Sequence, residues 1–266
     1  MAKARGKFNT MEEVLNDLRR KANENKVTST NQSNTTSTTA STNSYKCEVC
    51  KDKGLVFINN DTAKICGCRE QRKIDRLFKT SHITEEFTKL GFKNFSLEGK
   101  HSSVVHAQRT SLAYVKRYGE LKESRENSIA LLGNPGAGKT HLLTAISNNL
   151  LQKKVPVLYF PFREGFDAFK DDFDSMEGKI EQMKQVEVLF IDDLFKRSAT
   201  EFEVKTMYSV INYRYLNHKP ILISSECLID DLLDIDEALG SRIYQMCKSY
   251  LVEIVGNRRE LNYRLT

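Results

Sequence analysis

Gly133-Asn134-Pro135-Gly136-Ala137-Gly138-Lys139-Thr140 is the stretch that decides how this chain folds and what it binds. It fits G-x-x-x-x-G-K-[ST], a loop whose main-chain N–H groups close around phosphate oxygens. Gly133, Gly136 and Gly138 permit backbone angles closed to other residues, so the loop can wrap an anion. The Lys139 ammonium is placed for the β- and γ-phosphates of ATP, and the Thr140 hydroxyl for Mg²⁺. The flanks agree. Residues 128–132 (SIALL) are a short apolar run of the buried-strand kind. Residues 141–153 place Leu142, Leu143, Ala145, Ile146 and Leu150 at helical spacing, with the helix N-terminus toward the anion.

Further strands follow. Residues 156–160 (PVLYF) predict a second, and residues 186–191 (VEVLFI) a third that delivers Asp192 and Asp193 at its C-terminal end. Asp192 is read as holding Mg²⁺ through water, and Asp193 as orienting or deprotonating the attacking water. Paired aspartates also serve as turns and helix caps, but a strand end downstream of a phosphate loop favours the metal reading. A fourth strand, 220–224 (PILIS), leads to Ser225 and Glu226, and a fifth is expected over 250–255 (YLVEIV). Strands alternating with helices predict an α/β fold, a parallel sheet covered on both faces. Such sheets bind ligands beyond the carboxyl ends of their strands, where all these residues lie.

Ahead of this core the chain changes character. Residues 8–22 carry Met11, Val14, Leu15 and Leu18 on an otherwise charged segment, which predicts an amphipathic helix that packs on its own domain or on a partner. Residues 27–44 are almost wholly Ser, Thr and Asn, with nothing to bury, and read as a disordered linker. Cys47, Cys50, Cys66 and Cys68 then form two close pairs around a β-hairpin that turns at Asn59, Asn60 and Asp61. Four thiolates so placed can enclose one structural Zn²⁺; a redox pair or unliganded thiols are the other readings. Cys227 and Cys247 sit in apolar surroundings and read as core. Residues 69–79 predict a basic helix, 87–97 an irregular apolar stretch packed on the core, and 101–121 another helix. The division expected is 1–26 partner-binding helix, 27–45 linker, 46–80 zinc module and 81–266 nucleotide-binding domain.

Charge and composition narrow the functional classes. With a net charge of +6 the chain is mildly basic, compatible with nucleic acid but also with ordinary solvated surface. No run approaches the ~20 apolar residues of a membrane span, and no apolar segment follows the basic N-terminus as in a secretory signal. A cytoplasmic protein without disulfides is the expectation.

The motifs GNPGAGKT, LFIDDLF, ILISSE and LGSRI, in that order, resemble the AAA+ ATPases of the bacterial DnaC/DnaI helicase-loader family, prophage-encoded members especially. The likeness spans about residues 96–259, and the paired cysteines resemble the zinc module of some loaders. It implies a AAA+ core without a C-terminal helical lid. A sensor residue is expected at Ser225 or Glu226, where the family often has Asn. Arg242 matches the arginine finger, a planar cation supplied to the phosphoryl group of a neighbouring subunit; a surface ion pair with Asp236 or Glu237 is the alternative. Arg258 and Arg259 either face phosphate or lie in solvent. Phe162, Phe166, Phe169 and Phe173 form a helical stripe in the region where the superfamily places a DNA-binding insertion. Packing is its default role, and the acidic neighbours Asp171, Asp172 and Asp174 disfavour DNA there. Arg69, Arg72, Lys73 and Arg76 are equal candidates for DNA contact. The function implied is ATP-driven loading of a replicative helicase hexamer onto single-stranded DNA, by a protein that self-assembles on ATP. A transposition helper ATPase and a slowly hydrolysing, nucleotide-switched adaptor are the rival readings.

Overall fold

The computed structural model describes residues 45–58, 62–171, 173–196 and 199–265. The helix expected over 8–22, the linker as far as residue 44 and the hairpin turn at residues 59–61 lie outside them. From Cys47 onward the chain forms one compact unit.

That unit begins with a small antiparallel hairpin, β1 (Leu55–Phe57) and β2 (Ala63–Ile65), with Leu55 opposite Ile65. Helix α1 (Cys68–Thr80) follows and lays Leu77 and Phe78 on the main core. The stretch expected to be irregular contains a one-turn helix, α2 (Glu85–Thr88), capped by Thr84, and a 3₁₀ turn over Phe92–Asn94. Phe87, Phe92 and Leu97 still pack on the core, as their apolar character requires. Helix α3 (Ser102–Leu121) leads into the sheet.

The remaining elements alternate. They are β3 (Ile129–Gly133), α4 (Lys139–Gln152), β4 (Val157–Pro161), α5 (Phe162–Asp171), α6 (Phe173–Gln185) and β5 (Val188–Asp192). After these come α7 (Glu201–Leu216), β6 (Ile221–Ser225), α8 (Ile229–Ile235), α9 (Glu237–Cys247), β7 (Leu251–Ile254) and α10 (Arg258–Leu261). All five strands are parallel, in the order β4-β5-β6-β3-β7. Strands β3 to β6 each end one residue beyond the apolar run that predicts them. The added residues are Gly133, Pro161, Asp192 and Ser225, which the backbone ladder includes but hydrophobicity cannot mark.

Side chains alternate between the two faces of a strand. Ile129, Leu131, Tyr159, Phe190 and Leu222 therefore meet α3 and α4, while Ala130, Leu132, Phe160, Ile191 and Ile223 meet α5, α7 and α9. Both faces are dry, which is why these strands read as continuous apolar runs. The edge of β4 is also covered, since the Tyr159 amide donates to the Ser81 carbonyl across 2.7 Å. A charge is also sealed within the core. Arg214 of α7, fully buried, donates to the carbonyls of Met183, Lys184, Val186, Glu187 and Pro220, closing the C-terminal turn of α6 and the entries to β5 and β6.

Candidate active site

The phosphate loop leaves the sheet at Gly133, whose φ is 105° and where a Cβ would lie 2.4 Å from the Ile254 carbonyl oxygen. Gly138, at φ 81°, caps α4, and a Cβ there would enter the Phe95 ring. Only glycine satisfies both positions. Lys139 opens α4 and is buried; its Nζ donates to the carbonyls of Gly133 (2.7 Å) and Asn134 (2.8 Å). Burial, partly opposed by Asp193, lowers this ammonium to about 8. The loop thus folds onto its own lysine, and phosphate oxygens would compete with two carbonyls for it.

Asp192 ends β5 on the α4 side. Its Oδ1 accepts from the hydroxyls of Thr140 (2.8 Å) and Ser224 (2.5 Å), and its Oδ2 from Tyr159 (3.1 Å). Burial raises this carboxyl, and the hydroxyls of Ser224 and Thr140 pull it back toward the ionised form. Thr140 and Asp192 therefore stand side by side, an oxygen pair suited to Mg²⁺. Asp193 has left the strand, with φ 56°, and its amide donates to Ser224 Oγ across 2.8 Å. That left-handed turn sends its carboxylate into the cleft, where Lys196 Nζ donates to Oδ2 at 2.8 Å. Lys196 also reaches Glu226 Oε1, 3.0 Å away.

Ser225 is not brought to this cluster. Its hydroxyl donates to the Leu194 carbonyl (2.6 Å) and accepts from the Cys227 amide (3.0 Å), on the opposite face of the sheet. The two-residue period of β6 explains it, because Ser224 shares the α4 face with Asp192 and Ser225 faces away. Of the two sensor candidates, only Glu226 lines the cleft.

The cleft has a volume of about 340 Å³ and is bounded by Pro135, Gly136, Lys139, Thr140, Asp193, Lys196 and Glu226. Phe95 and His141 wall another side, and the C-terminal residues Tyr263 and Arg264 close it. The Tyr263 amide donates to the Gly136 carbonyl (3.0 Å) and its hydroxyl to the Ser96 carbonyl (2.6 Å), strapping the chain end across the phosphate loop. Arg258 and Arg259 lie in solvent and do not line the cleft; Arg264 does. Phe95, Lys196, Tyr263 and Arg264 belong to no motif, and nothing local in the sequence marks them. Ser224 was accessible through strand alternation.

Arg242 lies on α9, away from the cleft of its own chain. Its Nε donates to Asn212 Oδ1 (2.9 Å) and its Nη1 to the Ala238 carbonyl (2.5 Å), near the rings of Tyr208 and Tyr215. The Asp236 carboxylate instead accepts from the Leu239 amide (2.7 Å), and no ion pair of Arg242 with Asp236 or Glu237 occurs among the described residues. Phe162, Phe166 and Phe169 are buried in the core beneath α5, so this part of the aromatic stripe is unavailable to DNA.

The four paired cysteines converge. Their Sγ atoms all lie within 4.8 Å of one another, with Cys47–Cys66 at 3.8 Å and Cys50–Cys68 at 3.4 Å. A tetrahedral Zn²⁺ with Zn–S bonds of ~2.3 Å has sulfur–sulfur edges of about 3.8 Å, so the donor set fits. Burial works to raise the Cys50 thiol, but the Gly54 amide and the adjacent thiols bring it down to about 7. Cys247 is buried and Cys227 half-buried, its thiol toward the Phe195 carbonyl.

A model of the bacterial DnaA ATPase domain matches residues 87–247. Phage-like element PBSX protein XkdC of Bacillus subtilis (strain 168) is 51% identical over 230 residues, covering 83% of this chain and 86% of that protein. The crystal structure of DnaI matches with a TM-score of 0.55 and 23% identity, covering 67% of this chain and 94% of that one. That of the DnaC helicase loader matches with a TM-score of 0.54 and 21% identity, covering 65% and 100%. No helix among the described residues is long and apolar enough to cross a membrane.

Proposed function

This chain belongs to the bacterial DnaA ATPase-domain family, and on that premise we propose that it is a phage-type AAA+ protein of the DnaC/DnaI helicase-loader kind that hydrolyses ATP to load a replicative helicase hexamer onto single-stranded DNA in the cytoplasm. One observation carries the reading: Lys139, Thr140 and Asp193 line a single cleft at the carboxyl end of the sheet, with the Asp192 carboxylate directly behind Thr140. The loop amides and Lys139 would bind the β- and γ-phosphates. Thr140 and Asp192 would hold Mg²⁺, which supplies charge neutralisation on those oxygens. Asp193 would align the attacking water.

Arg242 would complete the site of a neighbouring subunit, since it stands apart from the cleft of its own chain. Hydrolysis would then require a homo-oligomer formed on ATP. Residues 1–26 would recruit the helicase across the 27–45 linker, and the module of residues 46–80 would be held by Zn²⁺ on Cys47, Cys50, Cys66 and Cys68. Arg69, Lys73 and Arg76, exposed along one side of α1, are the better placed DNA contacts, since Phe162, Phe166 and Phe169 are core and the Phe173 side chain lies outside those described.

The test is a mixture of this protein, the host replicative helicase and labelled single-stranded DNA, with and without ATP. Helicase retained on DNA only when this protein and ATP are both present supports loading. Helicase that binds DNA equally well without this protein would overturn it.

A further inference from the structure

Lys196 is the least expected member of the cleft. Its Nζ lies 2.8 Å from Asp193 Oδ2 and 3.0 Å from Glu226 Oε1, with the side chain 33% exposed. An ammonium has three donors; two are engaged here and one remains. Asp193 and Glu226 put two carboxylates on the wall of a site that a polyanion would enter, with Asp192 buried behind Thr140. Lys139 meets the phosphate loop itself and Mg²⁺ would serve Asp192, so Asp193 and Glu226 need a cation of their own. Glu226 sharpens the problem. It emerges from the end of β6 directly into the cleft, and its charge would repel the outermost phosphate unless neutralised. Burial would lower the Lys196 ammonium, but the two carboxylates hold it above the ordinary lysine range, so it stays charged.

From this geometry we propose that Lys196 is a second terminal-phosphate contact of the cleft, beside Lys139, bridging Asp193 and Glu226 while the site is free and turning its ammonium to the γ-phosphate when a triphosphate enters. The move leaves the Asp193 carboxylate open to a water molecule. Lys196 and Glu226 then act as a pair, a charged device that distinguishes triphosphate from diphosphate. The proposal rests on the cleft being an ATP site.

The test measures equilibrium binding of ADP and of a non-hydrolysable ATP analogue, both with Mg²⁺, by wild type, Lys196→Met, Lys196→Arg and Lys196→Met/Glu226→Gln. Thermal melting checks that each variant is folded. Losing a charge-assisted contact predicts that Lys196→Met binds the analogue about tenfold more weakly, with ADP affinity almost unchanged. Lys196→Arg should restore most of the difference, and adding Glu226→Gln should recover part of it by removing the unpaired carboxylate. An unchanged ratio of analogue to ADP affinity in folded Lys196→Met overturns the Lys196 assignment alone. Wild type that binds neither nucleotide overturns the ATP reading beneath it.

Discussion

The Tyr159 hydroxyl donates to Oδ2 of Asp192 across 3.1 Å, tying β4 to the carboxylate that β5 presents beside Thr140. Asp192 thus receives hydroxyl hydrogens from three different elements, which hold both of its oxygens. Tyr159→Phe removes one without changing shape, a loss of about 1 kcal/mol. ATP turnover at limiting Mg²⁺ should fall several-fold, with little change at saturating Mg²⁺. Equal turnover at every Mg²⁺ concentration would show that the Tyr159 contact does not position the carboxylate.

Lys139 makes nucleotide affinity depend on pH. In the free site its ammonium titrates at about 8, and bound phosphates raise that value. Below pH 8 the charge is present in both states and affinity is level. Above it, binding takes up a proton, and affinity falls by up to about tenfold per pH unit. Calorimetric titration at pH 9 in two buffers of different ionisation heat should report that uptake. Lys139→Ala should bind no ATP.

Arg242 is predicted to act between subunits. Arg242→Ala should retain ATP affinity while turnover falls tenfold or more, as loss of an arginine finger does. Mixing Arg242→Ala with Lys139→Ala then gives pairs in which one chain holds ATP and the other supplies the arginine. Turnover of the mixture above the sum of its parts confirms action in trans, and simple additivity refutes it.

The cysteine cluster predicts about one zinc per chain by metal analysis. Cys50→Ser should lose it, because a hydroxyl does not replace a thiolate ligand. ATP binding should survive, since no cysteine lines the cleft. Metal-free wild type prepared under reducing conditions would contradict the assignment.

Arg214 is predicted to matter for stability and not for chemistry. Burial lowers its guanidinium to about 9, so it remains cationic at neutral pH, held by five carbonyls without a carboxylate. Arg214→Met removes the donor from all five carbonyls, of which that of Pro220 keeps a second partner in the Leu189 amide, at a cost of about 3 kcal/mol or more. The melting temperature should drop by about 6 °C or more. A drop of under two degrees would mean that water replaces the arginine.

Local patterns revealed much of this molecule. The phosphate loop, the apolar strands and the Asp192–Asp193 pair could be read directly, because backbone geometry and burial on both faces impose their residue types over a few consecutive positions. The same logic failed by one residue at the end of each of four strands, where the ladder takes in Gly133, Pro161, Asp192 and Ser225. It also points to Ser225 or Glu226 as the sensor, whereas Ser224 joins Asp192 and Ser225 does not, because a single step along β6 turns a side chain from the nucleotide side to the other.

The sequence by itself determined the class of fold, the phosphate-binding loop and the four cysteines that can share a metal. Each is a short-range pattern, fixed by what a few neighbouring residues can do. Only the tertiary structure decided that Lys196 bridges Asp193 and Glu226, that Tyr263 straps Gly136, and that Arg242 stands outside its own cleft. These relationships join residues on separate elements, and they exist only once the sheet and its helices have packed.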